Sequence, residues 1–343
     1  MYLIKHRKTE KTIFFTASIF ICVSNNIFSG EIMEKFVIAF GGNALLTNGD
    51  VPSFQSQYER AVEAFNGIWE ILEENSVVIT HGNGPQVGNI LLQNENSKGV
   101  IPPMPLHACG SMSMGLIGHI MSLAYDNVRM QRGFSKEPIV IITRTLVSDD
   151  DPAFSNPSKP IGPFYTKQEA DTLMNDLKWS MKEDSGRGWR RLVPSPAPMD
   201  IMERNSIIRL LADGFQPIAV GGGGIPVLRQ RGKLVGVEAV IDKDLASSLL
   251  ASIIDAHSFM ILTDVPFAYT NYGTKDQEKI GRIKFDELQE LYNRGYFASG
   301  SMGPKIKAAI EFVRKGGKRS IITSIENSRK ASVEQTGTIV LPQ

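Results

Sequence analysis

Short, uninterrupted apolar runs that alternate with amphipathic stretches constrain the fold of this chain more than any other feature. The apolar runs, each four or five residues long, lie at residues 36–40, 77–80, 139–143, 217–220, 259–263 and 320–323. Between them, apolar residues recur at three- and four-residue spacing, the helical pattern, at residues 58–72, 112–128, 199–211, 244–254 and 304–313. Strands that are apolar on both faces are typical of parallel sheets covered by helices. The alternation predicts an α/β fold with an open, doubly wound, mainly parallel sheet.

Size, charge and cysteine usage narrow the functional class. The chain has 343 residues, enough for one large α/β domain or two lobes that share a sheet. Its formal net charge of +1 gives no basic field for nucleic acid and no support for a membrane-surface partner. The two cysteines, Cys22 and Cys109, form no Cys-x-x-Cys pair, and the five histidines are scattered. This pattern argues against a zinc site or disulfide framework and fits a reducing compartment.

The first 33 residues differ in character from the rest. Four basic residues among residues 1–11 precede an apolar run at 13–23, which resembles a signal peptide and is too short for a comfortable membrane span. A second interpretation is that translation begins at Met33, directly before the first predicted strand. We favour the second, set residues 1–33 apart as an N-terminal extension, and expect a cytoplasmic protein.

One internal region breaks the alternation of strands and helices. Residues 147–198 are rich in Pro, Asp, Ser, Lys and Trp and show little strand-like character. The segment is too long for an ordinary connection. We interpret it as a protruding subdomain or lid inserted after the third strand, with a passive surface excursion as the alternative.

Glycine-rich segments follow three of the apolar runs. They are Gly41-Gly42-Asn43-Ala44, His81-Gly82-Asn83-Gly84-Pro85 and Gly221-Gly222-Gly223-Gly224. Ligands of open α/β sheets bind beyond the carboxyl ends of the strands, where glycine lets backbone N–H groups approach an anion. One such segment could be a tight turn, but three together favour phosphate binding. None has the spacing of a P-loop or a dinucleotide-binding motif.

Two lysines stand where phosphate chemistry would use them. Lys243 lies between two aspartates just before a predicted helix, and Lys305 lies in the first turn of a helix that Pro304 begins. A lysine at a helix N-terminus is electrostatically disfavoured, which suggests a nearby anion, although either lysine alone could be a solvated surface residue. His81 is interpreted as structural, so no general base is evident. An acceptor that is already ionised, such as a carboxylate, would need none.

Taken together, these segments resemble carbamate kinases of the amino-acid kinase superfamily. The matching segments are AFGGNAL (39–45), THGNGPQVG (80–88), KPIGPFY (159–165), RLVPSP (191–196), VEAVIDKD (237–244) and GSMGPK (300–305). The resemblance runs from about Glu34 to the C-terminus. Asn43 narrows the resemblance to the carbamate kinases, because most members of the superfamily have lysine at that position. The N-terminal extension, Ser299 and Gly303 depart from the family pattern, and the last two put the shape of the nucleotide loop in doubt.

The resemblance implies reversible phosphoryl transfer between ATP plus carbamate and ADP plus carbamoyl phosphate, in arginine or carbamoyl phosphate catabolism. It implies Mg²⁺ bound through the phosphates rather than by protein side chains, a sheet of about eight strands, and a homodimer. It also implies a carbamoyl phosphate lobe at 34–215, including the protruding subdomain, and a nucleotide-binding lobe at 216–343. A kinase for a different small acid and a nucleotide sensor without catalysis remain as alternatives.

The resemblance also implies roles for individual residues. Lys243 would grip the migrating phosphoryl group, Asp244 would orient the lysines, and Lys305 would reach the terminal phosphates of the nucleotide. Lys159, on the protruding subdomain, would close on carbamoyl phosphate. The implied backbone and amide donors to the substrate are Gly41, Gly42, Asn43, Gly82, Asn83 and Gly223. The nucleotide pocket would include Thr263, Asp264, Tyr269 and Met302.

Overall fold

A computed structural model describes residues 33–41, 53–184, 186, 188–298 and 300–343. A boundary between two units of the chain falls between Ile32 and Met33, and the fold below is that of the second unit, Met33–Gln343. The expectations for residues 1–32 lie outside the described residues. The same is true of those for Gly42, Asn43 and Ser299.

Strands and helices alternate through most of the described chain. The strands are β1 (Lys35–Phe40), β2 (Ser76–His81), β3 (Pro138–Val140), β4 (Arg144–Leu146), β5 (Lys159–Tyr165), β6 (Ser180–Glu183), β7 (Trp189–Val193), β8 (Asp200–Ile201), β9 (Gln216–Ile218), β10 (Ile225–Gln230), β11 (Lys233–Gly236), β12 (Ser258–Leu262), β13 (Ala268–Thr270), β14 (Glu278–Ile280), β15 (Arg282–Lys284), β16 (Arg319–Thr323) and β17 (Thr338–Leu341). The helices are α1 (Phe54–Glu74), α2 (Gly84–Ser97), α3 (Leu106–Arg132), α4 (Lys167–Leu177), α5 (Arg204–Ala212), α6 (Lys243–Ile253), α7 (Phe285–Asn293), α8 (Met302–Arg314) and α9 (Ser328–Ser332).

The main sheet confirms the predicted fold class. Its eight strands run in the order β15-β17-β16-β12-β1-β2-β9-β3, and every neighbouring pair is parallel except β16 and β17. Successive residues of a strand face opposite sides of a sheet. Accordingly Val37 and Ala39 of β1 belong to one apolar core, with residues of α6 and α8. Phe36 and Ile38 belong to a second core, with residues of α1 and α3. Both faces of β1 are therefore covered, which explains its unbroken apolar run.

One predicted helix begins later than its apolar spacing indicates. The pattern predicted a helix over 199–211, whereas Asp200 and Ile201 form the short strand β8 and α5 begins only at Arg204. Ile201 pairs antiparallel with Thr145 of β4 and is fully buried. Pairing with a strand distant in sequence thus overrides the local helical spacing. Strands β4 and β8 belong to a four-stranded sheet with the order β11-β10-β4-β8.

The sequence interpretation of little strand-like character in 147–198 was wrong. Three strands in this region form an antiparallel sheet of their own in the order β5-β7-β6, and α4 packs beside it. Cation–aromatic stacking covers this small sheet, with Arg191 over Trp179 at 4.5 Å and Lys167 over Trp189 at 4.1 Å. Single residues, Ile161 and Val193, join a small apolar core with residues of α2 and α3. Because charged stems and rings supply other contacts, the strands lack the apolar runs that mark the main sheet.

Among the described residues, no helix combines the length and apolar character that crossing a lipid bilayer requires.

Candidate active site

A cavity of about 400 Å³ opens beyond the carboxyl ends of β1 and β12. Gly41 directly follows β1 and Thr263 directly follows β12, and both line it. This is the edge at which open α/β sheets bind ligands. The predicted site residues that the structure brings together around the cavity are Gly41, Lys159, Lys243, Asp244, Thr263, Asp264, Tyr269, Met302 and Lys305.

Two lysines from different helices meet on one carboxylate, and all three residues line the cavity. Lys243 is the first residue of α6, and its ammonium group donates to Asp244 Oδ1. Lys305, in the first turn of α8, donates to Asp244 Oδ2 at 3.0 Å. The Asp244 side chain is buried. Within this cluster, the two cations therefore outnumber the single anion between them.

Hydrogen bonds from neighbouring elements fix the first turn of α6. Asp242 is the N-cap, and its Oδ1 accepts from the backbone N–H groups of Asp244 at 2.9 Å and Leu245 at 3.3 Å. Ser247 donates to the Lys243 carbonyl at 2.6 Å and also contacts the Thr80 hydroxyl of β2 at 2.6 Å. The backbone that carries Lys243 is thus tied to the main sheet.

Burial and the neighbouring charges shift the pKa values of Lys243, Asp244 and Lys305. Burial alone would raise the pKa of Asp244, but the adjacent Lys243 and Lys305 ammonium groups outweigh it and hold that pKa well below its ordinary value. Burial lowers the pKa of Lys243, with the Lys305 charge adding to the effect against the opposing pull of Asp244. Burial would also lower the pKa of Lys305, but the Asp244 charge and hydrogen bond raise it overall. Asp244 is therefore ionised throughout the neutral range.

A third lysine reaches the cavity from the protruding subdomain. Lys159 is the first residue of β5, and its ammonium group donates to Asp242 Oδ2 at 2.9 Å. The Lys159 side chain is 34% exposed and that of Asp242 is 13% exposed. Three cations are thus arranged on two carboxylates that stand two residues apart.

The glycine-rich segment after β9 packs beside this cluster rather than lining the cavity. Gly222 and Gly223 have φ values of +63° and +91°, a conformation that other residues rarely adopt. A Cβ on Gly223 would lie 2.6 Å from the Ile241 carbonyl oxygen, and one on Gly222 would lie 2.2 Å from the Asn83 side chain. Asn83 in turn donates to Ser113 Oγ at 2.8 Å. These glycines let three segments approach closely.

The predicted donors therefore fall into three groups. Gly41 lines the cavity, and a Cβ there would lie 2.9 Å from the Leu262 carbonyl oxygen, so glycine lets the ends of β1 and β12 converge. Gly82, Asn83 and Gly223 are not among the residues that line the cavity, and their role as donors stays a prediction. Gly42 and Asn43 lie outside the described residues, and their role likewise stays a prediction.

His81 is enclosed next to the glycine-rich segment. Its Nδ1 lies 3.0 Å from the Gly82 carbonyl oxygen, and a Cβ on Gly221 would lie 2.4 Å from its ring. Burial lowers the pKa of His81 to about 4, with the nearby Lys243 charge adding to the effect and the Gly82 carbonyl opposing it. His81 is thus neutral at physiological pH, and it does not line the cavity.

The lowered pKa of His81 makes acid stability a testable property. The unfolded chain binds a proton there near pH 6.5 and the folded chain only near pH 4. The unfolded state therefore binds more protons between these values, so stability is intact above pH 6.5 and is lost as pH falls toward 4. The contribution of His81 to that loss should be about 3 kcal/mol. Urea denaturation across this range should show a shallower loss for His81→Gln than for the wild-type protein, and equal losses would contradict the assignment.

Aromatic residues that sequence reasoning missed form the other end of the cavity. The predicted residue Tyr269 lies there with its ring 5.8 Å from that of Tyr272, and both line the cavity. Tyr296 and Phe297 line it from the segment before α8. Such rings offer apolar faces on which a nucleotide base could stack. Their positions in the sequence could have indicated them. Tyr272 lies close to the predicted residue Tyr269, and Tyr296 and Phe297 shortly precede the GSMGPK segment.

Comparisons with known proteins identify the family. The model of the amino acid kinase family matches residues 34–324. Carbamate kinase from Thermoplasma volcanium is 49% identical over 310 residues, which cover 90% of this chain and 100% of the relative. Carbamate kinase from Pyrococcus horikoshii is 46% identical over 312 residues, covering 90% of this chain and 99% of the relative. The solved structure of carbamate kinase from Giardia lamblia bound to AMP-PNP is 45% identical, with a TM-score of 0.85 over 91% of this chain and 99% of that one. The chain therefore belongs to the amino acid kinase family and, within it, to the carbamate kinases.

Proposed function

We propose that this enzyme catalyses the reversible reaction in which ADP and carbamoyl phosphate give ATP and carbamate. One structural observation carries the proposal: Lys159, Lys243 and Lys305 converge on two carboxylates at the edge of a cavity that also has an aromatic end. The lysine ammonium groups can bind phosphates, and the aromatic rings can stack on the base of a nucleotide. The high identity to carbamate kinases supports the acceptor, and a kinase for a different small acid or a nucleotide sensor is not favoured.

Charge stabilisation is the main catalytic contribution in this proposal. Phosphoryl transfer spreads negative charge over the equatorial oxygens of the migrating group, and fixed cations stabilise it. We assign that contact to Lys243, because it is held at the start of α6 by the Asp242 cap and by Asp244. Lys305 would hold the terminal phosphates of the nucleotide. Asp244 keeps both ammonium groups in place without contacting the substrate.

The acceptor needs little help to lose a proton. A carbamate oxygen is already ionised at neutral pH, so it can attack phosphorus without a general base. No histidine or cysteine is found among the described residues that line the cavity. Asp242 and Asp244 are both hydrogen-bonded to lysines, which suits them to organise cations rather than to remove protons.

Magnesium is part of the proposal. The chemistry of the donors fits an ion held mainly by phosphate oxygens, since Asp242 and Asp244 are engaged by lysines and Mg²⁺ in kinases takes phosphate oxygens and few carboxylates. When bound, the ion would neutralise charge on the β- and γ-phosphates.

Two lobes supply the cavity in this proposal. Residues 34–215 contribute Gly41 and Lys159 and would form the carbamoyl phosphate lobe, and residues 216–343 contribute the aromatic end and would form the nucleotide lobe. We further propose a cytoplasmic homodimer, for which the sequence resemblance is the support. The buried, unpaired thiol of Cys109 is compatible with a reducing compartment.

ATP formation from ADP and carbamoyl phosphate, with Mg²⁺, tests the proposal directly. The wild-type protein should produce ATP, and production should depend on both substrates. Silence from a folded protein would contradict carbamate as the acceptor. A panel of other small acids with ATP would then separate a related kinase from a protein that binds nucleotide without turnover.

Lys159→Ala should mainly weaken carbamoyl phosphate binding. Removal of one charge-assisted hydrogen bond to a phosphate should raise the KM for carbamoyl phosphate about tenfold. The KM for ADP should change much less, because the nucleotide lies on the other side of the transferred group. Initial rates with each substrate varied in turn measure both constants. An unchanged KM for carbamoyl phosphate would remove Lys159 from the substrate site.

A further inference from the structure

Asp242 serves two different elements with its two carboxylate oxygens. Oδ1 accepts the N–H groups of Asp244 and Leu245 and so begins α6. Oδ2 accepts from the Lys159 ammonium group at 2.9 Å, across 83 residues of sequence. One side chain thus joins the helix that carries Lys243 to the subdomain that carries Lys159.

The capping role alone does not require a carboxylate. Serine, threonine and asparagine cap helices about as well as aspartate does, because one side-chain oxygen is sufficient. The contact with Lys159 does depend on the second oxygen and on its negative charge. The use of aspartate therefore requires an explanation beyond the helix cap.

The contact also has an apparent disadvantage for a site that binds anions. Asp242 lines the cavity, so its negative charge repels a bound phosphate. The carboxylate must therefore provide something that outweighs this repulsion. Lys159 is a long side chain, 34% exposed, and without a partner it would lose considerable conformational freedom on binding substrate. A fixed carboxylate beside it reduces that loss, because the ammonium group is already ordered at the cavity.

We propose that Asp242 is a positioning residue that holds Lys159 at the cavity so that it can contact the phosphate of carbamoyl phosphate. This inference rests on the proposed function. An ammonium group has three N–H donors, so one bond to Asp242 leaves two for the phosphate. Asp242 then does for Lys159 what Asp244 does for Lys243 and Lys305. This contact links the protruding subdomain to the start of α6.

Asp242→Asn separates positioning from capping. The asparagine Oδ1 can still cap α6, while the charge that holds Lys159 is removed. We expect the KM for carbamoyl phosphate to rise about fivefold to twentyfold and kcat to fall less than threefold. Asp171→Asn is the matched control, because Asp171 pairs with Lys167 at 2.5 Å in the same subdomain but does not line the cavity. The control should leave both constants unchanged.

A double-mutant cycle identifies the residue through which Asp242 acts. In the Lys159→Ala background, Asp242→Asn should change the KM for carbamoyl phosphate less than twofold, since the residue to be positioned is absent. Thermal unfolding of Asp242→Asn near the wild-type temperature would verify that the cap is retained. Asp242→Ala, which removes the cap as well, should lower the unfolding temperature.

Each outcome of these experiments decides the inference. A raised KM that disappears in the Lys159→Ala background supports it. A KM that is unchanged or lowered in an active Asp242→Asn enzyme overturns it, because repulsion or capping would then be the whole effect of the carboxylate. A raised KM that persists without Lys159 also overturns it. Absence of turnover in the wild-type protein would overturn the proposed function as well.

Discussion

Lys243→Ala should lower kcat by about 10²–10³-fold, the usual loss when one transition-state donor is removed. Lys243 is rigidly placed at the first position of α6 and bonded to a buried carboxylate, so water cannot readily take over its role. The KM values should change less than kcat, because the interaction is strongest when charge develops on the migrating group. Coupled measurement of ATP formation with saturating ADP and carbamoyl phosphate determines the effect.

A matched control is available on the neighbouring helix. Lys307 lies two residues after Lys305 on α8, is 48% exposed and pairs with Glu311 at 3.9 Å. Lys307→Ala removes an equal charge at the surface and should leave kcat within twofold of the wild-type value. If kcat of a folded Lys243→Ala variant falls less than threefold, Lys243 does not have the catalytic role assigned to it.

Asp244→Asn should lower the free energy of unfolding by about 3–5 kcal/mol, the usual effect of removing one partner from a buried ion pair. The substitution retains the shape of the side chain but leaves the Lys243 and Lys305 ammonium groups close together with no anion between them. Catalysis should fail as well, since the lysines would move apart. Urea denaturation followed by intrinsic fluorescence measures the change in stability.

Inorganic phosphate provides an internal test of that explanation. An anion that binds between the two lysines replaces the missing charge, so phosphate should stabilise Asp244→Asn more than it stabilises the wild-type protein. Asp171→Asn breaks an exposed ion pair and should therefore lower the free energy of unfolding by less than about 1 kcal/mol. A loss of similar size for Asp244→Asn would show that the cluster is not held by Asp244.

The central architecture could be predicted because its signals are local. Residues 36–40 of β1 and all of β12 are buried, so every one of them is apolar or small, and this requirement is visible in a run of five residues. The strands at 36–40, 77–80 and 259–263 accordingly agree with the structure to within about one residue at each end. The protruding subdomain was misjudged because its strands contribute only single residues, such as Ile161 and Val193, to an apolar core, and stacked cations and rings supply other contacts.

Some features of the candidate site could likewise be predicted from the sequence, and others could not. Lys243 and Lys305 were recognisable because each stands at a predicted helix start, where a cation is unusual and suggests a nearby anion, whereas the role of Asp244 came from the family resemblance. The contact between Asp242 and Lys159 was not recognisable, since 83 residues separate the partners and nothing local in the chain requires them to meet. The glycines after β9 are a further example. Their sequence predicts backbone N–H groups close to an anion, which stays a prediction, and the structure adds that their lack of side chains accommodates Asn83 and Ile241.

The sequence by itself thus determined the parallel sheet, predicted the edge at which the cavity opens and indicated a phosphate-bearing ligand. Those properties follow from burial, strand polarity and charge, which act through neighbouring residues. Only the tertiary structure decided which carboxylate holds which lysine and which aromatic rings complete the cavity. Ion pairs and cavity walls depend on distances of a few ångströms between segments far apart in the chain, and the packing of the whole fold sets those distances.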